Sequence, residues 1–505
     1  MNIKKSLALC AVAAAFTGCS LDLPPEGSIG SDNAFATIQD ARNLRNFQNV
    51  LLRGNTQGGI VYSQELQTDL FNITAESGNN GAEQNRWTFT SGYGDAASIF
   101  AGMYGCIANI NYYLQEYRKL DLSKFTEKEQ AELNLYFGEM HFERAYYYSV
   151  LVEKFCDFYT ESTASEKLGM PYIKEYAPTA VAEKYPARPS LKETYDEIFK
   201  DLDTAATYLT TPGAPDNIFL TADVVKGLQA RMALYTQNWA LAAEKASEII
   251  NSGVYTLIND AELFKNMWIN DNGKESMVQF YGSKSEMPGS NNFGYCNFNA
   301  KQNIYSAYMI PTTLVLDMYD TENDIRYPAY FGDYEVKGQG QTWNLVLCHK
   351  YYGNPEFMTG TEPNYQNKGK FFRIAEQYLI AAEAYAMNGD ASNANKYLNA
   401  LRKARIKGYT DVNLSGDELI QAIRDERVKE LFAEGFRLND LKRYNEGFSR
   451  ENKYQGDGSA LYLPGDASTT DLTIESGNFR FIYPIPQAEC DANPQIQQNP
   501  GYTAE

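Results

Sequence analysis

The stretch IRDERVKELFAEGFRLNDLKRYN occupies residues 423–445 and lies within one long predicted helix, residues 416–444. Its first half alternates an apolar stripe with charged residues. Asp425 and Lys429 stand four positions apart, the spacing at which opposite charges meet on a helix surface and contribute about 0.2–0.5 kcal/mol. We therefore interpret these charges as the solvated side of a helix supported by weak ion pairs, and not as catalytic carboxylates.

Helical spacing also dominates the chain upstream of this stretch. Apolar residues recur with the period of an amphipathic helix over residues 37–53, 96–119, 127–155, 190–209, 221–236, 239–252, 371–388 and 391–406. Segments rich in Gly, Asn, Tyr and Trp lack this period, at residues 60–95, 256–310 and 327–370. Long loops in an ordered protein are usually functional. We therefore expect the ligand-facing parts of the chain within residues 60–95 and 256–370.

One helix pair follows the spacing of a tetratricopeptide unit, in which small residues let two helices approach closely. The pattern comprises Tyr378, Ala381, Ala382, Tyr385, Gly389, Ala394, Leu398 and Leu401. A looser copy precedes it at Ala230, Ala233, Asn238, Ala243 and Ile250. Such units bury their apolar faces only by stacking. The spacing favours a scaffold of several stacked helix pairs, with generic helical hairpins as the alternative.

The amino-acid composition limits the classes of molecule that the protein is expected to bind. The formal net charge is −19, and this field repels polyphosphate, which argues against nucleic acid and anionic membrane surfaces as partners. Aromatic residues make up 13% of the chain and include 38 tyrosines. A ring with a polar tip fills a core or offers a flat binding face, so this excess suits a binder of carbohydrate or peptide. Most tyrosines, such as Tyr146–Tyr148, are nonetheless expected in the helical core.

The amino terminus resembles an export signal. Lys4 and Lys5 precede a short apolar run, and Phe16–Cys19 resembles the box at which bacterial lipoprotein signals are cut and the cysteine is acylated. The apolar run is shorter than the roughly 20 residues that cross a bilayer as a helix. We expect a signal peptide over residues 1–18, a lipid on Cys19 as the only membrane contact, and a single domain over residues 19–505. A plain secretory signal is the alternative.

Chemistry-bearing motifs are scarce. The only histidines are His141 and His349, and no close cysteine pair occurs, so neither a zinc site nor any other metal or cofactor is expected. Gly92–Ala97 matches a dinucleotide fingerprint but lies in an Asn-rich loop without the required strand and helix context. Besides Cys10 and Cys19, an odd number of cysteines remains, which we expect as isolated buried thiols, with two disulfides as the alternative: Cys106, Cys156, Cys296, Cys348 and Cys490.

The stretch at 423–445 resembles the signature of the SusD/RagB family, the lipoprotein partners of TonB-dependent outer-membrane transporters in Bacteroidetes. Further segments resemble the same family: FERAYYYSVLVEKFCDF (142–158), PARPSLKETYDEIFKDLDTAATYL (186–209), FFRIAEQYLIAAEAYAMNGD (371–390) and FIYPIPQAECDANPQIQQNPGY (481–502). Together with the N-terminal box they cover the chain from end to end.

The resemblance implies a mainly α fold, a tetratricopeptide-like right-handed α-superhelix with long irregular loops and minor β structure. It also implies a lipid-anchored protein on the outer membrane that faces the cell exterior and docks on a SusC-like transporter. The usual ligand is a glycan and less often a peptide. Bound ligand would favour the state in which the lipoprotein closes over the transporter as a lid, which requires contacts that are better when closed.

Candidate ligand contacts come from the irregular segments on physical grounds. Hydroxyl groups of a sugar could bind Asp69 and Asn72, and apolar sugar faces could stack on five rings, those of Trp87, Tyr93, Tyr295, Trp343 and Tyr351. Covering one sugar face is worth about 1.5 kcal/mol. The leading hypothesis is a non-enzymatic surface lipoprotein that binds oligosaccharide and delivers it to the transporter. The alternatives are an oligopeptide binder of the same fold, a surface glycosidase acting through two of the many carboxylates, and a helical adaptor without a small ligand.

Overall fold

The computed structural model describes residues 35–290, 294–299, 301–360, 363–456, 460–465 and 468–502, without the side chains of residues 62 and 63. The predicted signal peptide, residues 1–18, and the predicted lipid attachment at Cys19 lie outside these ranges.

Helices dominate the described residues, which confirms the predicted mainly α fold. They are α1 (Ile38–Gly54), α2 (Gly59–Glu65), α3 (Ala82–Asn85), α4 (Gly94–Lys119), α5 (Glu127–Phe155), α6 (Leu191–Tyr208), α7 (Ala222–Tyr235), α8 (Trp239–Asn251), α9 (Ala261–Ile269), α10 (Thr313–Leu316), α11 (Tyr327–Tyr330), α12 (Ile374–Met387), α13 (Ala391–Arg405), α14 (Gly416–Glu430), α15 (Arg437–Tyr444) and α16 (Gln487–Ala492).

Capping side chains explain why several predicted helix starts agree with the structure. At the start of α5, Thr126 Oγ1 accepts from Glu129 N at 3.3 Å, and the Glu129 carboxylate accepts from Thr126 N at 2.9 Å. Ser190 and Glu193 form the same reciprocal pair at the start of α6. Each pair satisfies backbone donors that the helix leaves without partners.

For two helices the predicted bounds were wrong. The helix predicted over 371–388 begins only at Ile374, because the preceding residues form a strand paired with residues 276–279. The helix predicted over 416–444 is broken into α14 and α15. Ala433 and Gly435 adopt left-handed backbone between them, with φ of 57° and 83°, and a right-handed helix cannot continue through such residues.

The helices stack in sequence. α4 packs on α5, α5 on α6, α6 on α7 and α7 on α8, and α12 then packs on both α8 and α13. The predicted tetratricopeptide-like pairs α7–α8 and α12–α13 therefore lie side by side. Arg231 on α7 and Glu376 on α12 join them by two hydrogen bonds of 2.7 and 2.8 Å.

Most of the short strands lie in the segments predicted to be irregular, whereas the last three lie wholly or mostly outside them. They are β1 (Phe71–Ile73), β2 (Ser276–Gln279), β3 (Asn297–Asn299), β4 (Ile304–Ser306), β5 (Met309–Pro311), β6 (Phe331–Gly338), β7 (Gln341–Cys348), β8 (Lys370–Arg373), β9 (Phe448–Ser449) and β10 (Thr473–Ile474). The largest sheet of the described residues has the order β3-β4-β6-β7. In it β4 and β6 run parallel, and the other neighbours run antiparallel.

Three charged side chains of α14 are buried, which corrects the prediction of a solvated helix. Glu426, Arg427 and Glu430 are at most 1% exposed. Lys429 pairs with Asp324 and Glu426 and not with the predicted partner Asp425. The sequence pattern failed here because arginines brought from other segments surround the acidic face of the helix, so its charges are satisfied inside the protein.

The carboxyl-terminal segment lies across the end of α5. Asn499 Nδ2 donates to the carbonyl oxygens of Phe155 and Tyr483 at 2.8 and 2.7 Å. Tyr483 N donates to the carbonyl oxygen of Lys154 at 2.7 Å. Arg188, which precedes α6, donates to Asn499 Oδ1 at 2.8 Å. Residues 483–499 are therefore bonded to α5 and to the segment that precedes α6, both hundreds of residues earlier in the sequence.

Among the described residues, Cys106, Cys156, Cys348 and Cys490 carry free thiols. Cys106, Cys156, Cys296 and Cys348 are buried, and Cys490 is partly exposed. Within the same residues, none of the helices combines the length and apolar character needed to span a bilayer.

Candidate functional site

The four-stranded sheet carries a row of residues in register on one face. Phe298 on β3 pairs with Tyr305 on β4, Tyr305 with Val336 on β6, and Val336 with Trp343 on β7. Directly paired residues of neighbouring strands point to the same side of a sheet. The register therefore places three aromatic rings of this row on a common face.

The rings at one side of this face form a continuous cluster, here called the aromatic surface. It consists of Phe298, Tyr305, Tyr334, His349, Tyr352 and Tyr365, all of them partly exposed. Successive ring centroids are 5.0, 4.3, 5.9, 4.4 and 6.5 Å apart in that order. These are the separations of interacting aromatic pairs.

Hydrogen bonds fix the rings of the aromatic surface. Tyr305 and Tyr352 hold their hydroxyl oxygens 3.3 Å apart, and the Tyr334 hydroxyl contacts His349 Nδ1. Tyr365 Oη accepts from Phe298 N at 3.1 Å, although Tyr365 itself takes a left-handed backbone with φ of 58°. Such a conformation is uncommon for a bulky residue. The surrounding structure therefore holds Tyr365 in position.

The aromatic surface is uncharged near neutral pH. Burial lowers the pKa of His349 to about 4, which leaves its imidazole neutral. Burial also raises the pKa of Tyr305, Tyr334 and Tyr365, so these phenols stay protonated. The surface therefore offers apolar ring faces together with neutral donors and acceptors, and it suits a neutral polar ligand.

Of the residues proposed from sequence, Trp343 shares the sheet face with the aromatic surface. Its Nε1 donates to the carbonyl oxygen of Gly338 at 3.4 Å, and its ring lies beside Gly456. The ring is partly exposed.

Tyr295 and Tyr351 line a separate central cavity of about 130 Å³. Their ring centroids lie 6.4 Å apart, and the ring of Trp268 lies 5.9 Å from that of Tyr351. Tyr351 Oη donates to the carbonyl oxygen of Ala433 at 2.9 Å. Tyr351 therefore faces the cavity, whereas its neighbour Tyr352 belongs to the aromatic surface.

The remaining residues proposed from the sequence belong neither to the aromatic surface nor to the central cavity. Asp69 accepts two hydrogen bonds from Arg437 at 2.9 and 2.6 Å, and Asn72 on β1 donates to the carbonyl oxygen of Lys453 at 3.0 Å. Both side chains are buried. The polar groups of these residues are thus engaged within the protein.

Trp87 and Tyr93 are also buried. Trp87 is 3% exposed, donates from Nε1 to the carbonyl oxygen of Gln67 at 2.9 Å, and packs edge-on against Phe481 at 4.7 Å. Tyr93 packs against Phe89 at 5.2 Å. The structure therefore brings neither ring to the aromatic surface.

Sequence reasoning missed the residues of the aromatic surface. For the strand residues the signal was the spacing of Tyr334 and Val336, because every second residue of a strand faces the same side. Tyr351 and Tyr352 lie in the turn and loop after β7, so no strand alternation distinguished their two rings. Choosing only Tyr351 selected the ring that faces the interior.

Metal chemistry finds no support in the described part of the chain, where no group of three or more His, Cys, Asp or Glu side chains is placed to hold an ion.

Two family models match the sequence. The SusD family model matches residues 295–502, and a second SusD-like model, described as starch-binding and associating with the outer membrane, matches residues 31–218. The chain is 33% identical to the starch-binding protein SusD of Bacteroides thetaiotaomicron over 132 residues, which is 26% of this chain and 21% of that protein. It is 22% identical to a SusD-like protein of Formosa agariphila over 382 residues, 66% of this chain and 70% of the relative.

Solved structures share the fold. A SusD superfamily protein from Bacteroides thetaiotaomicron superposes with a TM-score of 0.77 at 23% identity, covering 92% of this chain and 100% of that one. Another from Bacteroides vulgatus gives 0.76 at 24% identity, covering 93% and 100%. These structures show the fold, and the two family models, which together match most of the chain, show that it belongs to the SusD/RagB family.

Proposed function

We propose that the protein is a cell-surface lipoprotein that binds an oligosaccharide on the aromatic surface and delivers it to a partner SusC-like TonB-dependent transporter. The observation that carries the proposal is the cluster of six partly exposed aromatic rings on and beside one sheet of a SusD fold. The relative SusD is named for starch binding, which supports a glycan as the ligand.

The physical basis is ring stacking. A sugar ring presents an apolar face of carbon-bound hydrogens, and covering it on an aromatic ring removes apolar area from water at about 25 cal/mol per Å². Tyrosine hydroxyls and the neutral His349 add hydrogen bonds without requiring a charged ligand. Several stacked rings together offset the cost of association, which leaves millimolar to micromolar affinity, roughly −4 to −8 kcal/mol.

Binding is tested by affinity electrophoresis in gels that contain one soluble polysaccharide each, followed by calorimetry with its oligosaccharides. Replacing both Tyr305 and Tyr352 by Ala should weaken binding at least tenfold. The matched control is Tyr281→Ala, because Tyr281 is 51% exposed and outside the aromatic surface. If the gel retards the double variant as strongly as the wild type, the aromatic surface is not the binding site. Binding of an oligopeptide panel, with no retardation by any glycan, would favour the peptide alternative instead.

The proposal includes no catalysis. Purified protein should release no new reducing ends from the glycan that it binds, and release that is lost in carboxylate variants would instead support the glycosidase alternative.

Anchorage and delivery need separate tests. We propose that residues 1–18 are removed and that Cys19 carries the lipid, with the body outside the cell. Cys19→Ala should move the protein from the outer-membrane fraction to the soluble fraction, whereas Cys490→Ala should leave it membrane-bound. Protease added to intact cells should digest the wild-type protein. Mild detergent extraction should recover it together with a TonB-dependent transporter, and recovery without one would contradict the delivery role.

A further inference from the structure

The central cavity combines aromatic walls with buried charge. Its lining includes the rings of Trp268, Tyr295 and Tyr351, and it is bordered by α2, α5, α7, β8 and the segment between α14 and α15. Its cationic side chains outnumber its anionic ones, which is unusual for a chain of net charge −19: the cations are Lys154, Arg231, Lys368, Lys370 and Arg373, and the anions are Glu153, Glu376 and Glu434.

Most of the buried cations have carboxylate partners. Arg231 pairs with Glu376 at 2.7 Å, Arg373 with Glu434 at 2.6 Å, and Lys370 with Asp271 at 2.8 Å. Within each pair the two charges neutralise each other, which explains how they are tolerated inside the protein.

Lys154 on α5 differs from them. It is 4% exposed, and its ammonium donates to the carbonyl oxygen of Ile60 at 3.3 Å and, with the Gln64 amide turned toward it, to the Gln64 oxygen at 2.8 Å. No carboxylate among the described residues forms an ion pair with it. Burial lowers its pKa to about 7, because removal from water disfavours the ammonium more than the nearby Glu153 carboxylate stabilises it.

Two further polar groups of the cavity wall have no hydrogen-bond partner among the described residues. Trp268 is 2% exposed and Gln57 is 9% exposed, and neither Trp268 Nε1 nor Gln57 Oε1 has a hydrogen-bond partner there. Buried polar atoms without partners are costly, so both groups have capacity for a ligand. Gly369 keeps the space beside Gln57 open, since a Cβ at that position would lie 2.5 Å from Gln57 Oε1.

We propose that the central cavity is a second binding site, specific for the carboxylate of a small organic anion, with Lys154 as its counter-ion. Trp268 Nε1 donates a further hydrogen bond to the carboxylate, and Gln57 Oε1 accepts one from a hydroxyl or N–H group elsewhere on the ligand. The rings of Tyr295 and Tyr351 pack against the body of the bound group. The inference does not rest on glycan binding at the aromatic surface.

The size of the cavity limits what enters it. Sites that enclose a whole drug-sized ligand are about 300–1,000 Å³, whereas this one is about 130 Å³. It therefore takes one end group and not an extended chain. A carboxylate end group has two sources in this setting, the uronic acid at the end of an acidic glycan and the carboxyl terminus of a peptide.

Anion binding should depend on pH, because Lys154 must be protonated to act as a counter-ion. The charged and titratable groups that face it from the surrounding elements are Glu153, Arg231, Glu376, Lys442, Glu434, Arg373, Lys368, Lys370, Tyr146 and Tyr483. Burial raises the pKa of Glu153, so lowering the pH both charges Lys154 and reduces the repulsion from Glu153. Both effects favour the anion at lower pH, and the affinity should fall roughly tenfold between pH 6.5 and pH 8.5.

The test is calorimetric titration of the full chain with two carboxylates and their neutral counterparts. D-Glucuronate is compared with D-glucose, and N-acetyl-alanyl-alanine with its carboxyl-terminal amide. The proposal expects carboxylate binding at least tenfold tighter than that of the neutral counterpart. Binding of glucuronate alone identifies an acidic glycan as the source, binding of the peptide alone identifies a peptide terminus, and binding of both identifies the carboxylate itself. Equal affinity within each pair, or no binding of either carboxylate, would overturn the proposal.

Three variants test whether Lys154 is the group that binds the carboxylate. Lys154→Met keeps the length of the side chain, removes the charge, and should weaken carboxylate binding at least tenfold. Lys128→Met makes the same change on the exposed first turn of α5 and should leave binding unchanged. Glu153→Gln should tighten carboxylate binding several-fold, and it decides the matter if Lys154→Met does not fold. Native affinity in Lys154→Met, or unchanged or weaker affinity in Glu153→Gln, would refute the assignment.

Discussion

Arg405 on α13 and Glu430 on α14 form an ion pair that is fully buried, with Nε and Oε2 2.9 Å apart and Nη2 and Oε1 3.0 Å apart. Arg373 donates to the same carboxylate at 2.9 Å and Arg326 at 3.2 Å. These cations hold the pKa of Glu430 well below its usual range. One carboxylate thus accepts hydrogen bonds from arginines of three separate parts of the chain, and other buried carboxylates supply the remaining negative charge.

Neutralising this carboxylate should destabilise the fold. Glu430→Gln leaves Arg373, Arg405 and Arg326 short of negative charge in the interior, and removing one partner of a buried pair costs about 3–5 kcal/mol. The free energy of unfolding, measured by denaturant titration, should fall by that amount. Asp425→Asn on the same helix is the control, because Asp425 contacts only Gln421 in the described residues. Similar stability of both variants would contradict the role of Glu430.

The break between α14 and α15 should depend on Gly435. Its φ of 83° is unfavourable for residues with a Cβ, and an added Cβ would lie 3.3 Å from Val61 Cγ1. Gly435→Ala should lower the free energy of unfolding by about 1–2 kcal/mol. Gly105→Ala, inside α4 and with open space around it, should instead raise it by up to about 1 kcal/mol. Stabilisation by both changes would show that the left-handed backbone at 435 is not required.

Glu65 should make stability depend on pH. Burial raises its pKa to about 7, whereas an unfolded glutamate titrates near 4.5. Between these values the folded state binds the proton and the unfolded state does not, so this contribution to stability is present at low pH and is lost as the pH rises through 7. From pH 5 to pH 8, the free energy of unfolding of Glu65→Gln should therefore rise by about 2–3 kcal/mol relative to wild type. The exposed Glu83→Gln should show no such trend.

Thiol accessibility should distinguish Cys490 from the other cysteines of the described residues. Cys490 is partly exposed, and Cys106, Cys156, Cys296 and Cys348 are buried. A maleimide added to the folded protein should label Cys490 first, as read by peptide mass mapping. Unfolding in guanidinium without reductant should expose all five thiols to the reagent. A thiol that reacts only after reduction would reveal a disulfide.

Much of the fold was predictable, because local signals and tertiary structure agree along the scaffold helices. The capping pairs at Thr126 and Ser190 mark helix starts that depend on neighbouring residues alone. The start of α12 could not be read in this way, since residues 370–373 become a strand only by pairing with β2. The burial of α14 likewise depends on arginines that its own sequence does not contain.

The candidate site was less predictable for a related reason. Aromatic residues were sought in the segments 256–310 and 327–370, and the aromatic surface draws its rings from both. The register of β3, β4, β6 and β7 decides which of the strand rings meet. Tyr351 and Tyr352 lie beyond β7, and their different positions depend on tertiary contacts that composition does not show.

The attachment of the carboxyl-terminal segment to α5 changes how this stack of helices can come apart. An open array of repeats frays from its ends, because each unit touches only its neighbours. Here Asn499 and Tyr483 are hydrogen-bonded to the end of α5, so the carboxyl-terminal turns are held in place. Loss of order should consequently spread through the molecule as a whole, and a protease should not shorten the folded protein gradually from its carboxyl-terminal segment.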